Sequence, residues 1–235
     1  MLFQKDLFMQ ITYYGHSCFE VKVNNKKLLF DPYITPNKLA EKIDFKSIKP
    51  DYVLISHGHN DHIADAVAIA KQSDAVFISN FEITNWLSAK GIKNVHPMNL
   101  GGNFDFDFGT AKYFIAQHSS SLPDGSYGGN PGGFLIKGLH DSSFYYAGDT
   151  GLTNDLKLIR EYINIDFAFL PIGNNYTMGV DNAIIASEFI NCDKIIGMHY
   201  NTFDTIQIDK NEAIDKFNRA GKELILLEIG QTINI

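Results

Sequence analysis

The chain has 235 residues, 45% of them hydrophobic, enough to bury one large core or at most two modest ones, so one compact domain is expected. Its formal charge of -7 and its lack of clustered Lys and Arg argue against a dedicated nucleic-acid surface, and no apolar run approaches the length of a membrane span. Two cysteines, Cys18 and Cys192, with no Cys-x-x-Cys pair, suggest neither a disulfide framework nor a thiolate zinc knuckle and fit a reducing cytoplasm.

Residues 1–8 are too short and too interrupted by charge to serve as a secretory apolar segment. Met9 stands directly before the first strand-like run, so residues 1–8 read as an N-terminal extension from an alternative start and residues 9–235 as a single domain. Strands are expected at Ile11 to Tyr14, Cys18 to Val23 and Lys27 to Phe30, separated by Gly15 and the turn-forming pair Asn24-Asn25. Strand–helix alternation follows, with strands at Tyr52 to Ile55 and Ala75 to Ile78 and helices at about Ile63 to Lys71 and Phe81 to Ala89. The strictly alternating Phe104-Asp105-Phe106-Asp107-Phe108 then predicts antiparallel pairing, with Gly109-Thr110 turning the chain into Ala111 to Ala116.

Gly125 to Gly133 is a glycine-rich loop, equally readable as an ordinary hairpin connection. Strands continue at Gly133 to Ile136, Ser143 to Ala147, Asp166 to Leu170, Lys194 to Gly197 and Glu223 to Leu227. Helices are expected near Asn154 to Tyr162, Asn182 to Ile190 and Asp209 to Arg219. A β-rich half followed by an α/β half fits two sheets packed face to face with helices outside, a four-layer αββα sandwich.

The densest chemistry lies in His57-Gly58-His59-Asn60-Asp61-His62, directly after the apolar Tyr52-Val53-Leu54-Ile55. Imidazoles and carboxylates are the donors a borderline dication accepts, and at the end of a buried strand they converge without long reach. Asp61 also precedes a periodic stretch and suits a helix cap, a role compatible with metal binding. A two-metal site needs further ligands at later strand ends. His118, Asp149 and His199 occupy such places. Singly, Asp149 also suits a turn, His118 a surface and His199 a core; jointly with the hexapeptide they form a ligand set. His96 and His140 fall in apparent turns and read as solvated.

The series His57-x-His59-x-Asp61-His62, His118, Asp149 and His199 resembles the metallo-β-lactamase superfamily. Tyr14-Gly15-His16-Ser17, Gly148-Asp149-Thr150-Gly151-Leu152, the stretch from Pro171 to Gly179 and His199-Tyr200-Asn201-Thr202-Phe203 resemble its small UlaG-like metal-dependent hydrolases. The resemblance implies that His57, His59 and His118 hold one metal, Asp61, His62 and His199 a second, and that Asp149 bridges them. It implies a hydroxide shared by two divalent ions as the nucleophile, zinc first, with manganese, iron or nickel also acceptable to an all-nitrogen-and-oxygen site. Asp61 and His16 are expected in the chemistry itself, His16 facing the cleft to protonate a leaving group or bind substrate; otherwise it is a packed histidine. Asp31 is a candidate acceptor for a ligand imidazole, or only the start of a turn with Pro32.

Within that superfamily, oxygen-reducing di-iron members carry a glutamate where His59 stands, and cysteine-ligand β-lactamases lack the bridging aspartate. Nucleic-acid-cleaving members carry an inserted domain or arm that this chain has no room for. The expected substrate is therefore a small-molecule ester, lactone or phosphodiester. A di-iron oxidoreductase and a non-catalytic metal-dependent sensor are the alternatives. Substrate choice is expected to lie in the loops around Thr35 to Phe45, Ser119 to Pro131 and Asn174 to Val180, with Asn130, Asn175 and Tyr176 as possible hydrogen-bonding groups. The pattern leaves a homo-oligomer open.

Overall fold

The structure, a computed structural model, describes residues 9–139 and 143–235. The expected extension at residues 1–8 and the placement of His140 lie outside the described residues. In chain order the strands are β1 (Gln10–Gly15), β2 (Cys18–Val23), β3 (Lys26–Phe30), β4 (Tyr52–Leu54), β5 (Val76–Asn80), β6 (Val95–Met98), β7 (Asn103–Phe106), β8 (Gly109–Ile115), β9 (Gly132–Gly138), β10 (Ser143–Tyr146), β11 (Phe167–Pro171), β12 (Lys194–Met198), β13 (Glu223–Ile225) and β14 (Thr232–Asn234). The helices are α1 (Asn60–Ile63), α2 (Ala66–Ala70), α3 (Phe81–Ala89), α4 (Ile159–Tyr162), α5 (Val180–Phe189) and α6 (Lys210–Arg219).

The strands form two seven-stranded sheets, ordered β14-β1-β2-β3-β4-β5-β6 and β13-β12-β11-β10-β9-β8-β7. Each is mixed: hairpins on one side, parallel strands on the other. Aromatic side chains join them. Phe30 stacks on Tyr146 at 4.5 Å between ring centroids and meets Phe144 edge-on at 5.9 Å, while Phe19 packs on Phe169 at 4.7 Å. A second cluster, including Ile55, Ile63, Ile69, Phe77, Ile83 and Leu87, fills the space between the first sheet and its helices. The αββα expectation is met, because each sheet buries both faces, one on its partner and one under helices.

Several elements differ from the sequence reading. The helix expected over Ile63 to Lys71 is two short ones, broken at Ala64-Asp65. Asp65 is buried and accepts from the Ile34 and Thr35 amides at 2.6 and 2.8 Å, so a side chain that helical periodicity leaves free is pinned to the loop after β3. The β7–β8 turn falls on Asp107-Phe108, with Gly109 already paired to Phe106 in the strand. His96 is not in a turn. It lies half-buried in edge strand β6, its ring 4.3 Å from Phe104 and 4.9 Å from Phe106, and burial lowers its pKa. Strand β14, not foreseen, closes the first sheet against β1. Among the described residues no helix is long and apolar enough to cross a membrane.

The topology brings the expected ligands together. β1, β3 and β4 run in one direction, as do β8, β10 and β12 in the other sheet, since each pair is parallel or separated by one antiparallel neighbour. Their C-terminal ends carry His16, Asp31, His57, His118, Asp149 and His199. Ligands gather at the carboxyl ends of strands in open α/β sheets because the connecting loops there are free to present polar groups.

Candidate metal centre

The hexapeptide leaves β4 through Ile55 and Ser56 and enters α1 with His59 as the extended residue before the helix (φ -64, ψ 147). Asp61 and His62 then occupy the first turn. Asp61 therefore does sit at a helix start, though no side-chain cap bond forms and its carboxylate faces the histidines instead. His118 lies in the loop between β8 and β9, Asp149 follows β10 and His199 follows β12. His16, Asp31 and His199 adopt left-handed backbone (φ 56, 43 and 55), sparsely populated for residues with a Cβ and concentrated at functional sites.

Asp149 stands at the middle. Its Oδ2 is 3.1 Å from His199 Nε2, 3.5 Å from His118 Nε2 and 3.9 Å from His57 Nε2, and its Oδ1 is 3.4 Å from His62 Nε2. On one side His57, His59 and His118 bring nitrogens together, with His57 Nε2 3.0 Å from His59 Nδ1. On the other, Asp61 Oδ2 lies 3.7 Å from His62 Nε2 and 3.8 Å from His199 Nε2, and His16 joins the same group.

A layer of hydrogen bonds behind the cluster fixes how the imidazoles face. Ser56 Oγ donates to Asp31 Oδ2 at 2.6 Å, so it accepts from His57 Nδ1–H at 3.0 Å, and His62 Nδ1–H donates to Asp31 at 2.8 Å. In the neutral form both rings thus keep the proton on Nδ1 and present the Nε2 lone pair to the centre. The Ser56 amide (2.7 Å) and the Tyr146 hydroxyl (2.9 Å) also reach Asp31, which supports its expected role as an acceptor. Gly148 makes room for this layer: a Cβ there would stand 2.5 Å from Ser56 Cβ, and its φ of +60 favours glycine.

Charge in the cluster is divided. Burial pushes His57, His59 and His118 below the ordinary imidazole pKa, towards the neutral form that binds metal. Burial opposes charge on His62 and His199 as well, but there Asp149 leads the carboxylates that outweigh it, raising His62 well above the usual value and His199 to about 9. Burial likewise works against charge on Asp61 and Asp149, yet the histidines hold both well below the usual carboxylate range. Of the buried side-chain atoms without a hydrogen-bond partner, four belong to this cluster: Nδ1 of His16 and of His199, and His62 Nε2 and Asp149 Oδ1, which face each other at 3.4 Å. Unpartnered buried acceptors are rare. A lone pair and a carboxylate oxygen left open to one point fit a divalent cation, so the residues present suit the group.

His16 is placed otherwise than expected. It is fully buried, donates from Nε2 to Asp61 Oδ2 at 3.0 Å, and burial holds its pKa down at about 4. It lies beneath the cleft, because Tyr33 and Phe203 pack against its ring at 5.6 and 5.1 Å. The cleft itself encloses about 570 Å³ over His59, Asp61, His118, Asp149 and His199, with Tyr33, Asn60, Ser119, Tyr176, Phe203 and Thr205 as its remaining lining. Of the loop residues singled out from sequence, Tyr176 reaches it. Asn130 instead accepts from Tyr127 and, through its carbonyl, from Asn80, so it secures the glycine-rich loop, and Asn175 does not line the cleft. Sequence reasoning missed Ser56 and Tyr146. Neither carries a signal of its own, since each is tied to Asp31, 25 and 115 residues away, and only that bond leaves Ser56 Oγ as an acceptor for His57.

Two face-to-face sheets with a histidine and aspartate cluster at their common edge define the metallo-β-lactamase fold. Comparison with known proteins agrees. A family model described as the beta-lactamase superfamily domain matches residues 10–199. A UPF0173 metal-dependent hydrolase of Christiangramia forsetii is 54% identical over 228 residues, covering 97% of this chain and 100% of the relative. One from Bacillus thuringiensis is 42% identical, with the same coverage. Among solved structures, the metallo hydrolase Igni18 of Ignicoccus hospitalis is 35% identical with a TM-score of 0.88, over 97% of this chain and 98% of that one. The chain belongs to the UPF0173 metal-dependent hydrolases of the beta-lactamase superfamily.

Proposed function

We propose that the cluster holds two divalent cations and that the protein hydrolyses a small-molecule ester, lactone or phosphodiester. The observation that carries this reading is Asp149, whose two oxygens address both groups of histidines, while Oδ1 and the facing His62 Nε2, 3.4 Å apart, make no hydrogen bond within the protein. His57, His59 and His118 would hold one ion and Asp61, His62 and His199 the other, with Asp149 between them. Zinc suits these nitrogen and oxygen donors, and manganese, iron or nickel is accepted by the same set. Bound there, two dications would bring a water to a pKa of about 7 and stabilise the oxyanion that develops on the substrate.

The protein's own contribution is orientation and shielding. Asp31 and Ser56 set the imidazole tautomers, and His16, buried below Asp61, aims its carboxylate rather than meeting the substrate. The cleft opens from the cluster to solvent and admits a small molecule. The test is hydrolysis of 4-nitrophenyl acetate, γ-butyrolactone and bis(4-nitrophenyl) phosphate by protein stripped of metal and reloaded with zinc or manganese. Turnover that returns with metal and is absent in Asp149→Ala is expected. Fully loaded protein inert on all three, or oxygen consumption by the iron-loaded form without hydrolysis, would overturn the reading.

A further inference from the structure

We infer that the cleft is shaped for an uncharged carboxyl ester or lactone bearing a flat apolar group, and not for a phosphate ester. This narrows the hydrolase reading above and rests on it. The first observation is charge. Among the described residues no lysine or arginine lines the cleft, whose polar lining beyond the cluster is Asn60, Ser119, Thr205 and the hydroxyls of Tyr33 and Tyr176, all uncharged. Phosphate sites are built from guanidinium or ammonium groups or from the N-terminus of a substantial helix, because a phosphoryl group must exchange a strong hydration shell for strong donors. Here the helical segments at the cleft, α1 and the turn Asp204–Ile206, are each a single turn, so beyond the cations that the hydrolase reading places on the cluster no cationic group of the lining meets the rest of a phosphate ester.

The second observation is an aromatic wall bordering the cluster. Tyr33 and Phe203 lie 6.4 Å apart between ring centroids, and both rest edge-on against the buried His16 ring. Their position is thus set from below by packing. Tyr176 adds a third ring, 56% exposed although large and apolar. It is carried on Asn174 and Asn175, both left-handed (φ 63 and 58), with its amide bonded back to the Asn174 carbonyl at 2.7 Å. Flat faces with few hydrogen-bonding groups select flat, uncharged ligands, since nothing else there repays the loss of a polar group's hydration.

In the reaction so defined, the oxygen of water bonds to the carbonyl carbon and the bond from that carbon to the leaving oxygen breaks. One proton of water ends on the alcohol, and the other is released as the acid ionises. A lactone gives the same products joined in one molecule.

The test compares phenyl acetate and dihydrocoumarin with ethyl acetate and bis(4-nitrophenyl) phosphate on zinc-loaded protein, and follows binding of 4-fluorobenzamide by fluorine NMR on the same sample. The inference expects kcat/KM to favour the aryl esters. Phe203→Ala and Tyr176→Ala should each raise KM for phenyl acetate about 2- to 10-fold, the reach of one aromatic contact, and more than for ethyl acetate. Phe203→Leu, which keeps apolar volume, should lose part of that. 4-Fluorobenzamide should broaden with wild type and less with Phe203→Ala. Preference for the phosphodiester would overturn this inference and leave the hydrolase reading standing. If no substrate is turned over, the hydrolase reading fails, and the NMR arm then decides: binding that depends on Phe203 upholds the cleft's selectivity, and no binding overturns it.

Discussion

Replacing Asp31 by Asn keeps the shape of the side chain and a residue tolerant of left-handed backbone, and removes one charge. The carboxylate accepts the Ser56 amide on Oδ1 at 2.7 Å and, on Oδ2, Ser56 Oγ–H at 2.6 Å and His62 Nδ1–H at 2.8 Å. A carboxamide offers only one oxygen to these two sides. Turned to Ser56, it sets its NH2 against His62 Nδ1, which must shift its proton to Nε2, the atom that faces Asp149. Turned to His62, it leaves the buried Ser56 amide facing NH2, and an orphaned buried donor costs about 1–3 kcal/mol. Either arrangement weakens His62 as a ligand. Loss of such a supporting partner lowers metal affinity about 10–100-fold, which is about 1.4–2.8 kcal/mol. Zinc titration of metal-free protein against a chromophoric chelator measures this, with circular dichroism to verify folding. A folded Asp31→Asn protein with wild-type zinc affinity would refute the role given to Asp31.

Asp65→Ala strips the acceptor from the Ile34 and Thr35 amides at the α1–α2 corner and should destabilise the fold by about 2–4 kcal/mol; an unchanged urea midpoint would contradict it. Gly148→Ala forces a Cβ against Ser56 at a left-handed position, which should cost about 1–2 kcal/mol for the backbone alone and reduce metal content as Ser56 is displaced. Metal uptake should also depend on pH. His62 and His199 have raised pKa values in the metal-free protein, His199 about 9, so both are protonated at pH 7 and must lose their protons to bind. Calorimetry in buffers of differing ionisation heat should therefore show about two protons released from these imidazoles. Affinity should rise as pH climbs towards 9, by about tenfold per pH unit for each proton, and uptake without proton release would contradict the charge assignment.

How much of this was legible depends on how far each residue's role is local. His57, His59, Asp61 and His62 are contiguous, and His118, Asp149 and His199 each follow an apolar strand, so strand ends and donor chemistry suffice to find them. Strand β2 and helix α3 fall where alternation and periodicity place them, since the cores on either side of the sheets impose that pattern. Asp65 was opaque because its partners lie in the Ile34-Thr35 loop, and the broken helix follows from that contact. Strand β6 was hidden by Pro97, which an edge strand tolerates, and by His96, whose partners Phe104 and Phe106 arrive from the other sheet. His16 lies within the cluster, but whether it faces the cleft or lies beneath it depends on Tyr33 and Phe203, which no local pattern connects to it.

The central claim is that two ligand groups share Asp149 and hold one metal each. Elemental analysis of wild type, His118→Ala, His199→Ala and Asp149→Ala, each saturated with zinc and freed of excess by gel filtration, tests it most directly. Two zinc ions per chain in wild type, one in each histidine variant and fewer than one in Asp149→Ala are the predicted result. One ion in wild type, or two retained in Asp149→Ala, would contradict it.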